Sequence, residues 1–272
     1  DAYITPKDRY DLAEILKFAN KYSIETHFVG SGSNLLVADS GIDGIVLTPA
    51  KTLTQLEFND GHVIAESGVM LGRLVKECNK RNLTGVESMI GVPGTLGGAL
   101  VMNAGAFGGE ISNYLKSVDM MNMKGIISTY SPKDIDFSYR FSSIKSDEFV
   151  LQAQFELIEE NPDIIQEKRM KASKGRKTNQ PLRFRSAGSV FKNPDEYAAG
   201  YLIDQAGLKG TRSGNAEIST KHANFFVNHG GASSEDISEL IRLAKIAVRE
   251  QFNIELELEI KTLGFPPNHF DA

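Results

Sequence analysis

Apolar positions change period several times along the chain, and each change marks an element. AYIT at residues 2–5 predicts a short strand. Leu12, Ile15, Leu16 and Ala19 then fall at i, i+3, i+4 and i+7, one face of a helix. Thr5 is its expected cap, with Pro6 at the first helical position. Strands are expected at 27–30, 35–38 and 44–47, a βαβ-like opening with an extended continuation. Residues 52–67 alternate as two strands (LTQLEF, HVIAES), and Leu71, Leu74, Val75 and Cys78 predict a second helix. Further strand patterns cover 116–123, 126–130 and 149–158. The charged run 167–177 reads as a solvated helix or linker and is the best domain boundary. After it, a helix over 196–206 ends at Gly207, placed as a left-handed cap. AEIS and NFFVN predict strands, and Ser233 with Asp236 forms a capping box. That box opens a helix with Ile237, Leu240, Ile241, Ala244 and Val248 on one face. IELELEIKTLG closes the chain as a strand. The class is α+β, with a compact α+β domain at the C-terminal end.

Composition narrows the function. The chain has 272 residues, 41% hydrophobic and 24% charged, as a soluble globular protein does. A net charge of -5 argues against a general nucleic-acid or membrane-surface binder. The single cysteine, Cys78, excludes an internal disulfide, fits a reducing compartment and lies on an apolar helix face, so it reads as core. Residues 90–109 carry no charge but hold seven glycines and a proline. That composition suits a buried loop packed on a ligand better than a helix in lipid. His27, His62, His222, His229 and His269 are scattered, without metal-site spacing, so no metal is expected. The chain starts at Asp1 without a methionine, and a truncated N-terminus is expected.

The chemistry concentrates in two glycine-rich stretches. FVGSGSNLLVAD, residues 28–39, runs from a strand through Gly30, Ser31, Gly32, Ser33 and Asn34 into Leu35. A Rossmann fingerprint needs a helix there, and a second strand is expected instead. Glycine still lets backbone N–H groups approach phosphate oxygens, and successive N–H groups form an anion-binding nest without a helix. The second stretch holds Gly91, Pro93, Gly94, Thr95, Gly97, Gly98, Asn103 and Gly105. Two such loops suggest one extended ligand, such as a diphosphate with a bulky ring system. The competing reading, tight turns in a β-rich core, weighs equally on composition alone.

GSGSNLLVAD, GVPGTLGGALVMNAGAFG, YRFSSIK, SAGSVFKNP and LELEIKTLG occur in this order. Together they resemble the UDP-N-acetylenolpyruvoylglucosamine reductase family, from about residue 2 to Gly264. The resemblance implies an FAD-binding domain of the vanillyl-alcohol oxidase type over 1–165, in two α+β subdomains of about 1–50 and 51–165. A linker at 166–185 and a small α+β substrate-binding domain at 186–264 would follow. It implies noncovalent FAD held by the two glycine loops, with NADPH as hydride donor to the flavin. The flavin N5 would pass hydride to C3 of the enolpyruvyl group, giving UDP-N-acetylmuramate for peptidoglycan synthesis. It further implies a bacterial cytoplasmic monomer acting on small molecules, with no nucleic-acid or membrane partner.

The resemblance assigns catalytic roles to Ser189, as proton donor to C2, to Arg140, which meets the substrate carboxylate, and to Glu259, its partner. Tyr139, Lys192, Asn193 and His222 are implied at the substrate, and Lys192 or a water relay would support the serine alkoxide. Arg176 and Lys177 reach phosphates or solvate the linker. Without the resemblance, Ser189 reads as a turn hydroxyl and Arg140 as a surface ion-pair residue. Glu255, Glu257 and Glu259 then share one solvated strand face. The choice of Glu259 over Glu257 rests on its spacing to Leu263 and Gly264. The 49 residues from Arg140 to Ser189 match the shorter subgroup, which lacks an inserted tyrosine loop. Leu258 stands where proline is common in the family. Another FAD oxidoreductase of the superfamily, or a binding protein without turnover, are the alternatives. The former often attach flavin through His or Cys, and neither glycine loop holds one.

Overall fold

The computed structural model describes residues 1–59 and 62–271, so the expected strand pair over 52–67 is described except at 60–61. The chain divides into two compact units, one of residues 1–31 and 43–174, the other of 32–42 and 175–272. The division falls inside a helix, Pro162–Asn179, so the charged run is helical rather than an extended linker.

In the first unit, Ile45–Leu47 lies between Ala2–Ile4 and Thr26–Phe28 in a parallel three-stranded sheet. Helix α1 (Arg9–Lys21) buries Leu12, Leu16 and Ala19 against Ile45, Leu47 and Leu151. Its cap is Asp8, not Thr5. The Asp8 carboxylate accepts from Tyr10 N–H and Asp11 N–H at 2.9 Å each, and Lys7 N–H donates back to Asp11. A carboxylate engaging two orphan amides outcompetes a hydroxyl three residues earlier. Arg9 ties α1 to the neighbouring sheet through Glu66 Oε1 (3.0 Å) and Gln152 Oε1 (2.5 Å).

That sheet is antiparallel, in the order Ile127–Tyr130, Leu115–Asn122, Glu148–Glu156, His62–Glu66, Leu56–Asn59. Its inner face packs on α2 (Leu71–Asn79) and α3 (Leu96–Val101). Leu71, Leu74, Val75 and Cys78 are all buried, as their spacing predicts. Burial pushes the Cys78 thiol up to about 12.

The second unit packs α5 (Ala199–Gln205) and α6 (Ser234–Phe252) on a three-stranded antiparallel sheet of Arg212–Ser213, Ala216–Ile218 and Phe226–Asn228. The helix Pro162–Asn179 precedes them as α4. The Ser233–Asp236 box caps α6 with both reciprocal bonds, and Gly207 follows α5 at φ +76°. α5 starts at Ala199, three residues later than expected, because the Asn193 side chain takes up the Ala199 N–H at 3.0 Å.

Two expectations fail here for one reason. The strand Leu35–Val37 leaves the first unit, where residues 1–50 were expected to stay together. It pairs in parallel with Lys261–Leu263, register Leu35 to Lys261. The closing strand is confined to those three residues rather than running from Ile254. Pairing hydrogen bonds define a strand, and upstream only Leu258 bridges, to Phe191.

Candidate active site

The first glycine stretch turns between Phe28 and Leu35 with no helix, and Thr48 Oγ1 donates to the Gly30 carbonyl at 2.8 Å. The second opens the short helix α3. Leu96 N–H donates to Val69 C=O (2.8 Å), Gly97 N–H to Ser67 C=O (2.9 Å), and Leu71 N–H to Gly94 C=O (3.0 Å). Gly91 and Gly94, either side of Val92 and Pro93, sit at φ +69° and +133°, where a side chain is unfavourable. The two stretches meet: a Cβ on Gly30 would lie 2.4 Å from Thr95 Oγ1 and 3.9 Å from Gly98 Cα. Gly97 is less tight, its notional Cβ 3.0 Å from Ser67 Cβ.

Polar atoms along these segments are buried without partners among the described residues: Ser67 Oγ, Thr95 Oγ1 and Asn103 Oδ1. Buried polar atoms are nearly always satisfied, so these three are candidate contacts for a polar ligand. Ser67 escaped the sequence reading, which took it as the end of an alternating strand. Its only signal was the glycine that follows it.

Arg140 occupies a hairpin of Phe137–Ser138 and Phe141–Ser142, with Tyr139 and Arg140 as its turn. Its guanidinium carbon lies 4.9 Å from the Tyr139 ring centroid. Gly105 pairs with Glu110 in a second small hairpin, and a Cβ on Gly105 would lie 3.4 Å from Arg140 Nη1. Arg140, Tyr139 and the second glycine stretch therefore share the first unit, together with Gly30 and Ser31.

Gly32, Ser33, Asn34 and Leu35 belong to the second unit. Asn34 is engaged there: Nδ2 donates to Glu259 C=O at 3.1 Å, and Asn34 C=O accepts from Lys261 N–H at 2.9 Å. Ser189 follows Gly188 at φ +82° and is half-buried. Glu259 N–H donates to Val190 C=O at 2.8 Å, so Ser189 and Glu259 stand on adjoining chains.

Glu255 and Glu257 are exposed, and Lys192 Nζ pairs with Glu257 at 2.5 Å. Glu259 is half-buried, so the three glutamates do not share one solvated face. Asn224 escaped the sequence reading as well. It is buried, accepts from Phe191 N–H (2.9 Å) and donates to Phe191 C=O (2.7 Å), and its carbonyl accepts from Val190 N–H. It thereby fixes the chain just after Ser189.

His222 packs on α5, its Cε1 3.0 Å from where a Cβ on Gly200 would be. Its Nδ1 accepts from Asn224 N–H at 3.3 Å, which leaves the other ring nitrogen to carry the proton. Burial lowers its pKa, and Lys209 adds to that. Among the described residues no group of three His, Cys, Asp or Glu is arranged to hold a metal ion, and no helix is long and apolar enough to cross a membrane.

Two family models match parts of the chain. Residues 1–131 match an FAD binding domain, and residues 180–263 match the C-terminal domain of UDP-N-acetylenolpyruvoylglucosamine reductase. The chain is 43% identical to the UDP-N-acetylenolpyruvoylglucosamine reductase of Clostridioides difficile, over 97% of this chain and 87% of that protein. Its identity to the Clostridium novyi reductase is 40%, over 97% and 86%. The crystal structure of UDP-N-acetylenolpyruvylglucosamine reductase (MurB) from Thermus caldophilus superposes with a TM-score of 0.82 at 34% identity, covering 96% of this chain and 91% of that one. On these grounds the chain belongs to the UDP-N-acetylenolpyruvoylglucosamine reductase family.

Proposed function

We propose that this chain reduces the enolpyruvyl ether of UDP-N-acetylglucosamine to UDP-N-acetylmuramate with electrons from NADPH, a step of peptidoglycan precursor synthesis. Family membership over 97% of the chain carries the reading. It has the protein act as a monomer on small molecules in the bacterial cytoplasm.

The residues of the first unit suit noncovalent FAD. Ser67 Oγ, Thr95 Oγ1 and Asn103 Oδ1 are buried and lack partners among the described residues, and an amphipathic dinucleotide offers amide, hydroxyl and phosphate groups to match them. Gly30, Ser31, Gly91, Pro93, Gly94, Thr95, Gly97, Gly98, Asn103 and Gly105 would hold it there. Bound FAD supplies the two-electron exchange between NADPH and the enolpyruvyl double bond.

The chain's own residues do the rest. Saturating that bond puts two electrons and one proton on C3 and a second proton on C2. Negative charge builds toward the substrate carboxylate as C3 is attacked, and the Arg140 guanidinium offsets it. Ser189 gives its hydroxyl proton to C2. Glu259 is the third catalytic residue of this reading, and Asn193 and His222 serve the sugar nucleotide. With burial keeping His222 neutral, its remaining N–H donates to an oxygen of that substrate.

The test is spectroscopic. Purified protein should be yellow, bleach with NADPH and regain colour with UDP-N-acetylglucosamine enolpyruvate. Ser189→Ala should bleach normally and fail to recover. Normal recovery would refute the role of Ser189, and a protein that takes up no FAD would refute the whole reading.

A further inference from the structure

Asn103 is fully buried at the end of α3, at φ +42°, a left-handed conformation that asparagine tolerates better than most residues. Its side-chain amide points two ways. Nδ2 donates to Glu110 Oε2 (2.8 Å) and to Ser138 C=O (3.0 Å). Oδ1 is buried and has no partner among the described residues.

Ser138 is the residue before the Tyr139–Arg140 turn. Arg140 is itself left-handed, φ +57°, which holds only where the flanking strands are fixed. Two bonds fix them, Asn103 to Ser138 and Ser142 Oγ to Val101 C=O at 2.8 Å. Both lead back to the segment that the second glycine stretch opens. Gly105 and Glu110 flank the same guanidinium, since a Cβ on Gly105 would meet Glu110 Cγ at 3.0 Å and Arg140 Nη1 at 3.4 Å.

We propose that Asn103 is a positioning residue that couples cofactor occupancy to the placement of Arg140. Its Oδ1 accepts an N–H or O–H of bound FAD, and its Nδ2 holds the hairpin that carries Arg140. Amide conjugation links the two ends: a donor on the oxygen draws electron density from the nitrogen and strengthens the hydrogen bonds its N–H groups donate. Oδ1 is thus satisfied and the hairpin tightened in one event. The inference rests on the reading in which Arg140 meets the substrate carboxylate.

The test uses Asn103→Ala, Asn103→Asp/Glu110→Gln, Arg140→Ala and the Asn103→Ala/Arg140→Ala double variant. Three quantities are read: FAD affinity of the apoprotein by flavin fluorescence quenching, the rate of bleaching by NADPH, and the rate of colour recovery with substrate. Asn103→Ala should weaken FAD by about three- to tenfold, the effect of one net hydrogen bond. At saturating FAD its recovery should slow at least about tenfold more than its bleaching does, with little further loss in the Arg140→Ala background. Asn103→Asp keeps an acceptor but loses the donors to Ser138 and Glu110, and Glu110→Gln beside it removes the repulsion between the two carboxylates, so Asn103→Asp/Glu110→Gln should retain FAD and still recover slowly. It carries the test if the alanine variant does not fold. Wild-type recovery in both Asn103 variants, or losses that multiply with Arg140→Ala, would overturn the coupling while the Arg140 reading stands. Unimpaired recovery in Arg140→Ala would overturn that reading and the coupling with it. Unchanged FAD affinity in Asn103→Ala would overturn the assignment of Oδ1.

Discussion

Alanine at Gly30 adds one carbon where the two glycine stretches meet. The new Cβ would lie 2.4 Å from Thr95 Oγ1, about 1 Å inside the ~3.5 Å of a comfortable non-bonded contact. The Gly30 backbone is outside the left-handed region, so the contact alone sets the cost. Thr95 is 1% exposed and β-branched, so its side chain rotates poorly and either it or the backbone at Gly30 must shift. Overpacking by one carbon costs about 1–3 kcal/mol. At roughly 2–4 °C per kcal/mol for a chain of this size, Gly30→Ala should lower the apoprotein Tm by about 2–12 °C. On the proposed reading FAD should bind about tenfold more weakly, because the Thr95 hydroxyl that would bond it is displaced. Thermal unfolding and flavin titration read the two effects. Adding Thr95→Ala removes the clashing atom, so Gly30→Ala/Thr95→Ala should regain stability with a coupling of roughly 1–3 kcal/mol. The double variant should not regain FAD affinity, since the hydroxyl is gone. Wild-type Tm and FAD binding in Gly30→Ala, or strictly additive stabilities, would refute the geometry.

Three further outcomes are expected. Native Cys78 should resist thiol reagents at pH 8 and react once the protein unfolds; rapid native reaction would contradict its core position. Its folded pKa is raised to about 12 from 9.0, so stability is intact below pH 9 and declines above it as only the unfolded chain ionises, whereas Cys78→Ala should lack that decline. Glu217 is pushed up by burial, but Arg212 at 2.6 Å and His229 at 3.0 Å pull it down further, and the net shift is downward. Its contribution is complete above the ordinary carboxylate range and fades as pH falls through the folded pKa, so Glu217→Gln should cost roughly 1–3 kcal/mol near neutrality and much less in acid. Equal destabilisation at both pH values would exclude the ion pair as the cause.

Much of the architecture follows from local pattern. The α2 face, the α6 capping box and the Gly207 cap depend on residues within a few positions of one another, so spacing suffices to locate them. The motifs that signal the family are local in the same way: each is a short run whose residue types answer to one piece of chemistry. The Thr5 cap shows the limit even at short range. Two candidates competed, and the winner was the carboxylate whose oxygen reached two amides, a matter of backbone path.

Everything that depends on distant partners was settled by folding. Alternation in IELELEIK signals a strand, but only Lys261–Leu263 find a partner to pair with, and that partner, Leu35–Val37, comes from more than 200 residues earlier. Glycine content leaves tight turns and ligand loops equally open, and does not reveal that Gly30 abuts Thr95 or that Ser67 Oγ is buried near them without a partner among the described residues. Asn103 was legible as a member of the second glycine stretch and a cofactor-binding candidate, but its bond to Ser138 required the Arg140 hairpin to be docked. Amino-acid order carries propensity and periodicity, which are sums over neighbours. Satisfying a buried polar atom or completing a ladder is a property of pairs, and the pairs exist only once the chain has closed on itself.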